Sequence, residues 1–159
     1  MSAQAECRIV RGKDTAMHIR QIGDRARDLR PIWPGVGDDV RHAMVRQFAT
    51  EGAYLGKPWK PTSPGYVQWK VRHGLDPQLL VATGRLLRSL TSRPMGVERY
   101  NAHSATFGSD VPYARFHQHG TRYMPARPPI PTTRRMSPLT RAIRDRIADY
   151  LTFSPEFSS

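Results

Sequence analysis

The sequence contains a single cysteine, Cys7, in 159 residues. One thiol cannot form a disulfide within the chain, and it cannot build a cysteine-based zinc site there. The cysteine usage therefore gives no reason to expect an oxidising compartment. Cys7 lies in a segment predicted to be a short strand, where a lone thiol usually acts as a small apolar side chain, so a nucleophilic role has little support.

Long hydrophobic runs are also missing from the sequence. No stretch approaches the ~20 consecutive apolar residues that a membrane-spanning helix needs, and the first residues lack the apolar segment of a signal peptide. We therefore expect a soluble protein that is synthesised in the cytoplasm and has no membrane partner.

Acidic residues and lysines are scarce. The chain has 25 basic and 13 acidic residues, a formal net charge of +12, and only four of the basic residues are lysines. Arginine binds phosphate and carboxylate groups through a planar, weakly hydrated fork, which also suits interface ion pairs. The charge implies an anionic neighbour, and it leaves open whether this is nucleic acid, a membrane surface or an acidic protein.

The apolar content is low for a chain of this size. Only 38% of the residues are hydrophobic, while 14 prolines and 12 glycines predict many loops. A chain of this length is the size of one domain. We expect one domain over residues 6–153 with a small core and long loop arms, a disordered segment 1–5 and a loose tail 154–159.

Hydrophobic spacing predicts mainly helices. Apolar residues recur every three or four positions over 14–29 and 34–50. Ser63 and Ser137, each followed by a proline, are predicted to open two further helices, because serine caps a first turn and proline fits within it. Three aromatic residues near the first of these prolines, Trp59, Tyr66 and Trp69, are expected to pack in the core or to pin a loop.

The segment 81–129 holds most of the distinctive sequence. It begins with a short helix predicted to open at Thr83, whose hydroxyl can accept a bond from a first-turn amide. Two predicted strands, 97–102 and 104–108, follow as a hairpin, and one helical turn then ends at Gly120. The predicted fold class is therefore α+β, a small antiparallel sheet with packed helices and extended loop arms.

The sequence offers little chemistry for catalysis. His117 and His119 form a His-x-His pair, and His103 is a third candidate ligand, so a metal-dependent nuclease is one alternative. Residues two apart in a helical turn point away from each other, which weakens it. The adjacent Asp38 and Asp39 are expected to be the solvated first turn of a helix. No nucleophile elbow or phosphate-cradling loop is present, so we predict no enzymatic activity and no cofactor.

Arginine is the remaining signal. Eight arginines concentrate around the segment 81–129, where a solvated face, a DNA-facing patch or an acidic partner would all use them: Arg85, Arg88, Arg93, Arg115, Arg122, Arg127, Arg134 and Arg135. No helix-turn-helix, zinc-finger or basic-zipper pattern is present. If this is a basic nucleic-acid-binding domain, it is expected to contact phosphates without reading sequence, with a steep dependence on salt.

Several short motifs, in order, resemble the phage virion morphogenesis family, the tail-completion proteins of tailed bacteriophages. The similarity covers roughly residues 36–131, and the order and spacing of the motifs carry it. They are Trp59-Lys-Pro-Thr-Ser-Pro, Tyr66 and Lys70, Leu79-Leu-Val-Ala-Thr-Gly-Arg-Leu86 with Ser89-Leu90, Gly108-Ser, Pro112-Tyr-Ala114, His117-Gln-x-Gly120 and Pro125-Ala-Arg-Pro128. His119 departs from the family pattern, where an apolar or aromatic residue is more usual.

The resemblance implies a structural virion protein of the neck or upper tail. Such a protein forms a ring of about six copies that completes the tail and joins it to the capsid, and it is not an enzyme. The implied partners are other copies of the chain, connector or head-completion proteins and tail-tube proteins, with non-specific contact to packaged DNA. The implied location is the virion, after synthesis in the bacterial cytoplasm.

The motif residues that carry over are structural, and we expect them at contacts with subunits or partners. These interface candidates are Trp59, Thr83, Gly84, Arg85, Tyr113, Arg115, His117, Gln118, Gly120 and Arg127. A ring protomer with a small core completes its burial through its neighbours. We therefore expect the first loop arm, residues 52–63, and the second loop arm, residues 122–131, to reach adjacent subunits.

Overall fold

A computed structural model describes residues 12–130 and 137–152. The predicted strand around Cys7, the disordered segment 1–5, the loose tail 154–159 and the pair Arg134 and Arg135 lie outside this part of the chain. Within it the order of elements is helix α1 (Gly12–Ala26), a 3-10 turn (Arg30–Ile32), α2 (Trp33–Ala49), α3 (Pro64–Arg72), α4 (Arg85–Thr91), strands β1 (Val97–Tyr100) and β2 (Ala105–Gly108), α5 (Ala114–His119) and α6 (Pro138–Thr152).

Helix α2 is the centre of the fold. It contacts α4, α6 and β2, and α6 in turn packs on α1. The apolar stripe that the sequence predicts along α2 is buried in full. The core built around it consists of Ile32, Trp33, Val36, Val40, Ala43, Met44, Phe48, Leu55, Trp59, Leu79, Val81, Leu86, Leu90, Met95, Val111 and Leu139.

The described part of the chain contains one sheet, a two-stranded antiparallel hairpin. Val97 pairs with Gly108 and Tyr100 with Ala105. Each predicted strand is present but shorter than expected, because the Asn101 side chain accepts bonds from the amides of His103 and Ser104, both at 2.9 Å, and turns the chain early. The α+β class is confirmed.

The two serine caps are confirmed. Ser63 Oγ accepts a bond from the Tyr66 amide at 3.3 Å, with a proline in the first turn of α3. Ser137 Oγ likewise accepts from the Thr140 amide at 3.1 Å at the start of α6. Both helices begin where a serine supplies an acceptor for an orphan amide, as the sequence predicts.

Thr83 does not open α4 as predicted. The residue before the helix is Gly84, which has φ +71° and supplies no side-chain cap. The Thr83 hydroxyl accepts a longer bond, 3.4 Å, from the amide of Arg85. The helix starts one residue later than expected, with Gly84 in place of Thr83 as the capping residue, because the chain is left-handed at this point and glycine adopts that conformation at little cost.

Asp38 and Asp39 are not a solvated first turn. They lie in the second turn of α2, and both are ion-paired. Asp38 binds the guanidinium groups of Arg93 and Arg41, and these hydrogen bonds lower the pKa of its carboxyl to about 2. Asp39 holds Arg146 of α6 through two bonds of 2.7 and 2.9 Å. The acidic pair therefore joins α2 to two other parts of the fold.

The aromatic residues near α3 divide into two groups. Trp59 is 5% exposed and belongs to the core, as expected. Tyr66 and Trp69 are 46% and 45% exposed, and their rings stack on each other with centroids 5.6 Å apart. The prediction of packing is therefore correct for Trp59 and wrong for the other two.

Candidate functional site

The two loop arms bind each other within one chain. The indole Nε1 of Trp59, on the first arm, donates to the Pro128 carbonyl of the second arm at 3.0 Å. In return Arg127, on the second arm, donates from Nε and Nη2 to the carbonyls of Lys60 and Pro61 at 2.5 and 3.0 Å. These reciprocal bonds hold two segments together that are more than sixty positions apart in the sequence.

The structure shows that the arms bind each other, and the expectation that they reach neighbouring subunits stays a prediction. Trp59 is 5% and Arg127 6% exposed within their own chain, so neither side chain extends away from it. Tyr123 is the exception, because it stands on the second arm with 87% of its surface exposed. Whether any of the interface candidates meets another subunit stays a prediction.

A groove of about 800 Å³ lies between the two arms, α3, the residues that precede α4, and α5. Its size is within the range of roughly 300–1,000 Å³ that is usual for ligand pockets. Aliphatic side chains such as Leu86 and Met124 line part of it, and three tyrosines, Tyr66, Tyr113 and Tyr123, line the rest. Four basic side chains also line it: Lys70, Arg85, His117 and Arg127.

No described residue that lines the groove is acidic. Lys70 is 3% exposed, and its Nζ donates to the Gln78 carbonyl at 2.7 Å. Burial lowers the pKa of Lys70 against an opposing effect of Asp76, and burial also lowers the pKa of Arg127. Among the described residues neither cation has a carboxylate within ion-pair distance. Their hydrogen bonds go to neutral oxygens of their own chain, and the Lys70 Nζ also lies 5.9 Å from the centroid of the Tyr66 ring.

His117 occupies the α5 wall of the groove. Its ring meets Tyr113 edge to face, with centroids 5.9 Å apart, and its buried Nδ1 has no hydrogen-bond partner among the described residues. Burial lowers the pKa of His117, and the nearby Arg127 lowers it further. The imidazole is therefore held neutral in the folded protein at physiological pH.

We expect His117 to make the protein less stable as the pH falls below about 6.5. The unfolded chain binds the proton more readily than the folded one, since the folded pKa is depressed, so acid favours unfolding. Urea unfolding at about pH 7.5 and about pH 5.5 measures the effect. His117→Gln should lose part of this dependence, whereas the control His119→Gln, on the exposed side of the same helix, should keep it. An equal loss in both variants would contradict the assignment.

The sequence-predicted candidates fall into two groups. The structure brings six of them together around the groove: Thr83, Gly84, Arg85, Tyr113, His117 and Arg127. Of the others, Gln118 holds the second arm from outside the groove, donating to the Ile130 carbonyl at 2.8 Å and accepting from its amide at 3.2 Å. Arg115 lies on the far side of α5, along a smaller cavity of about 160 Å³.

Sequence reasoning missed the buried role of Lys70. The sequence shows Lys70 as a member of the helix that Ser63 opens and of a family motif, and neither feature predicts that the residue is buried. Tyr66 and Tyr123 were likewise not singled out as site residues. Lys70 follows Tyr66 by one helical turn, and residues four apart share a helix face. This spacing could have predicted that the two side chains lie on the same side of α3, where both line the groove.

Gly120 positions the start of the second arm. Its φ of +76° with ψ of 178° lies in a region that is essentially restricted to glycine. A Cβ at this position would lie 2.7 Å from the Ala126 amide nitrogen and 3.0 Å from the Met124 carbonyl oxygen. The turn therefore requires glycine for both conformation and space.

We expect Gly120→Ala to lower the free energy of unfolding by roughly 1–3 kcal/mol from backbone strain alone, with a further loss from the contact with backbone atoms. Gly56→Ala is the matched control, because a Cβ there meets nothing within 4 Å, and its effect should stay within about 0.5 kcal/mol. Chemical denaturation of both variants checks this. Similar values for the two would mean that the turn tolerates a side chain.

The His-x-His pair gains no support as a metal site. Within residues 12–130 and 137–152, no group of three histidine, cysteine or acidic side chains is placed to hold a metal ion. His103 lies in the hairpin turn, and no contact brings it to the pair. In the same ranges, no helix is long and apolar enough to cross a membrane.

The fold and the groove define a basic α+β domain whose signature residues surround a cationic surface groove. The chain matches the phage virion morphogenesis family over residues 12–153, and it therefore belongs to that family. The match extends well beyond the motifs at 36–131, since it includes the first and last helices. No curated protein and no solved structure matches this chain. Membership makes the protein a phage morphogenesis component with a structural role.

Proposed function

We propose that this protein is a structural component of the phage neck or upper tail that forms a ring, completes the tail and joins it to the capsid. The observation that carries the proposal is the family match over residues 12–153, nearly the whole chain. In this role the protein performs no reaction and needs no cofactor. Its partners are copies of itself, a connector or head-completion protein and the tail-tube protein.

A ring needs two different surfaces on each protomer, since its contacts are heterologous and close by rotation. One candidate surface is the groove, with Tyr123 beside it. A second is α1, which packs on α6 and leaves Met17 49% and Ile19 65% exposed. No residue of α1 or α6 lines the groove. The two surfaces belong to separate elements and supply the asymmetry that a ring requires.

The first experiment measures the mass of the purified protein by size-exclusion chromatography with light scattering. A ring of about six copies has a corresponding multiple of the 18.1 kDa chain mass, and negative-stain microscopy would show its outline. A protein that stays monomeric at every concentration tested, alone and with the partner proteins, would contradict the ring.

The second experiment tests the position in the virion. A phage that lacks the gene should accumulate filled capsids and separate tails, and the purified protein should restore their joining. Labelled antibody should then decorate the neck or upper tail. Normal particles in the absence of the protein would overturn the proposal.

A basic nucleic-acid-binding domain is the second candidate function. The observations that favour it are the formal charge of +12 and the exposed stack on α3, where Trp69 lies between Tyr66 and His73 with the ring centroids 5.6 and 4.4 Å away. Aromatic platforms beside basic residues bind single strands without reading sequence. A salt titration of DNA binding separates the two functions, because a monomer that binds DNA with a steep salt slope fits only this second candidate.

A further inference from the structure

We propose that the groove is a docking site for an acidic peptide segment of another virion protein, one that carries a carboxylate next to aromatic or aliphatic side chains. The inference deepens the proposed function and rests on it only for the source of the partner. The groove itself is defined by the residues named above, with Lys70 and Arg127 as its covered cations.

The groove carries positive charge that no described residue in its lining balances. A covered cation is costly unless an anion or several oriented oxygens balance it. Lys70 and Arg127 are 3% and 6% exposed, and their hydrogen bonds within the described part of the chain go to carbonyl oxygens and not to a carboxylate. The other acidic residues near the core already have partners, such as Glu98 on Arg41 and Asp39 on Arg146. A carboxylate that enters the groove would supply the missing charge.

His117, on the wall of the groove, lacks a hydrogen bond. Its buried Nδ1 lacks a partner among the described residues, and buried polar atoms in native proteins are nearly always hydrogen-bonded. The ring lines the groove together with Arg127, which approaches it closely enough to lower the pKa of the imidazole. Residues of the groove wall thus leave one polar atom unpaired in addition to the uncompensated charge.

The shape and lining of the groove favour a peptide over DNA. A duplex presents its phosphates on a convex surface, whereas Lys70 lines a groove and is only 3% exposed. The lining is also partly aliphatic, with Leu80, Leu86 and Met124, and its tyrosines can cover an aromatic side chain. About 800 Å³ is enough for a few side chains of an extended segment. A mixed apolar and cationic lining matches a carboxylate with apolar neighbours.

The test uses two reporter peptides, acetyl-Phe-Glu-Phe-amide and its neutral counterpart acetyl-Phe-Gln-Phe-amide, with the full-length protein. Calorimetry measures affinity, and NMR shifts of backbone amides locate the site. The glutamate peptide should bind at least about tenfold more tightly than the glutamine peptide, and the shifts should centre on Gly84, Tyr113 and His117.

Two variants, each of which removes one positive charge, show whether the peptide binds in the groove or is attracted only by the net charge of the protein. Lys70→Met should abolish the preference for the glutamate peptide, while Arg115→Met, outside the groove, should keep it. If Lys70→Met does not fold, the comparison of the two peptides on the wild-type protein still tests the docking site. Equal affinities, no saturable binding up to about 10 mM, or displacement of the peptide by duplex DNA would each overturn the proposal.

The same measurements keep this inference separate from the ring. A protein that forms rings and ignores both peptides contradicts only the docking site. A monomer that binds the glutamate peptide in the groove contradicts only the ring.

Discussion

Replacing Arg41 with alanine is expected to lower the free energy of unfolding by about 3–5 kcal/mol. Arg41 lies on the central helix α2 with 9% of its side chain exposed, and it binds Glu98 of β1 at 3.1 Å and Asp38 at 2.5 Å. Glu98 is itself only 14% exposed. Removing the guanidinium leaves that carboxylate covered and without its cation, and this penalty is larger than the value of the lost contact.

Urea unfolding followed by circular dichroism measures the loss. The matched control is Arg27→Ala, which removes an ion pair to Asp24 whose side chains are 82% and 71% exposed, and a surface pair of this kind contributes about 0–1 kcal/mol. The same small effect for both variants would mean that the Arg41 ion pairs are solvated. The double variant Arg41→Met with Glu98→Gln should recover much of the stability, since it removes both charges together.

The burial of Arg41 could not be predicted from the sequence. The spacing of Val36, Val40 and Met44 predicts which face of α2 is buried, and the structure confirms it. Arg41 adjoins that stripe, and its burial depends on Glu98, a residue 57 positions away. Local periodicity cannot find such a partner, because it reports the faces of one element and not what packs against them.

The candidate site shows the same division. The motifs around Thr83, Tyr113 and Arg127 could be recognised in the sequence, and six of their residues surround one groove. Their convergence was not predictable, since it depends on bonds that join the two arms across more than sixty positions. The contact between the two arms was not predictable for the same reason. A proline-rich segment looks extended in sequence, whether it binds its own chain or another.

The clearest indication of function in this chain is positive charge that the fold buries without a carboxylate to balance it. Most described carboxylates are matched by arginines, as Asp28 is by Arg30 and Asp39 by Arg146. Lys70 and Arg127 are buried, and no described carboxylate forms an ion pair with either of them. Arg127 joins the two arms, whereas stability alone would favour a neutral residue in place of Lys70. The charge of Lys70 is therefore the one that the proposed peptide would balance.

The other large effect is expected from Trp59→Ala, which should cost about 3–5 kcal/mol. The indole packs edge-on against Phe48, with centroids 5.4 Å apart, and donates to the Pro128 carbonyl at 3.0 Å. It also fits against Gly52, where even one added carbon would lie 2.5 Å from the ring. Truncation therefore opens a cavity in the core and frees the first arm from the second.

Trp69→Ala is the matched control, because that indole is 45% exposed on α3 and contacts Tyr66 and His73 instead of the core. Its loss should cost about 1 kcal/mol or less. Urea unfolding compares the two variants, and hydrogen exchange should show faster exchange of the Arg127 amide, which donates to the His117 carbonyl at 2.8 Å, only in Trp59→Ala. If both variants lose the same stability and that amide stays protected, Trp59 does not hold the arms together.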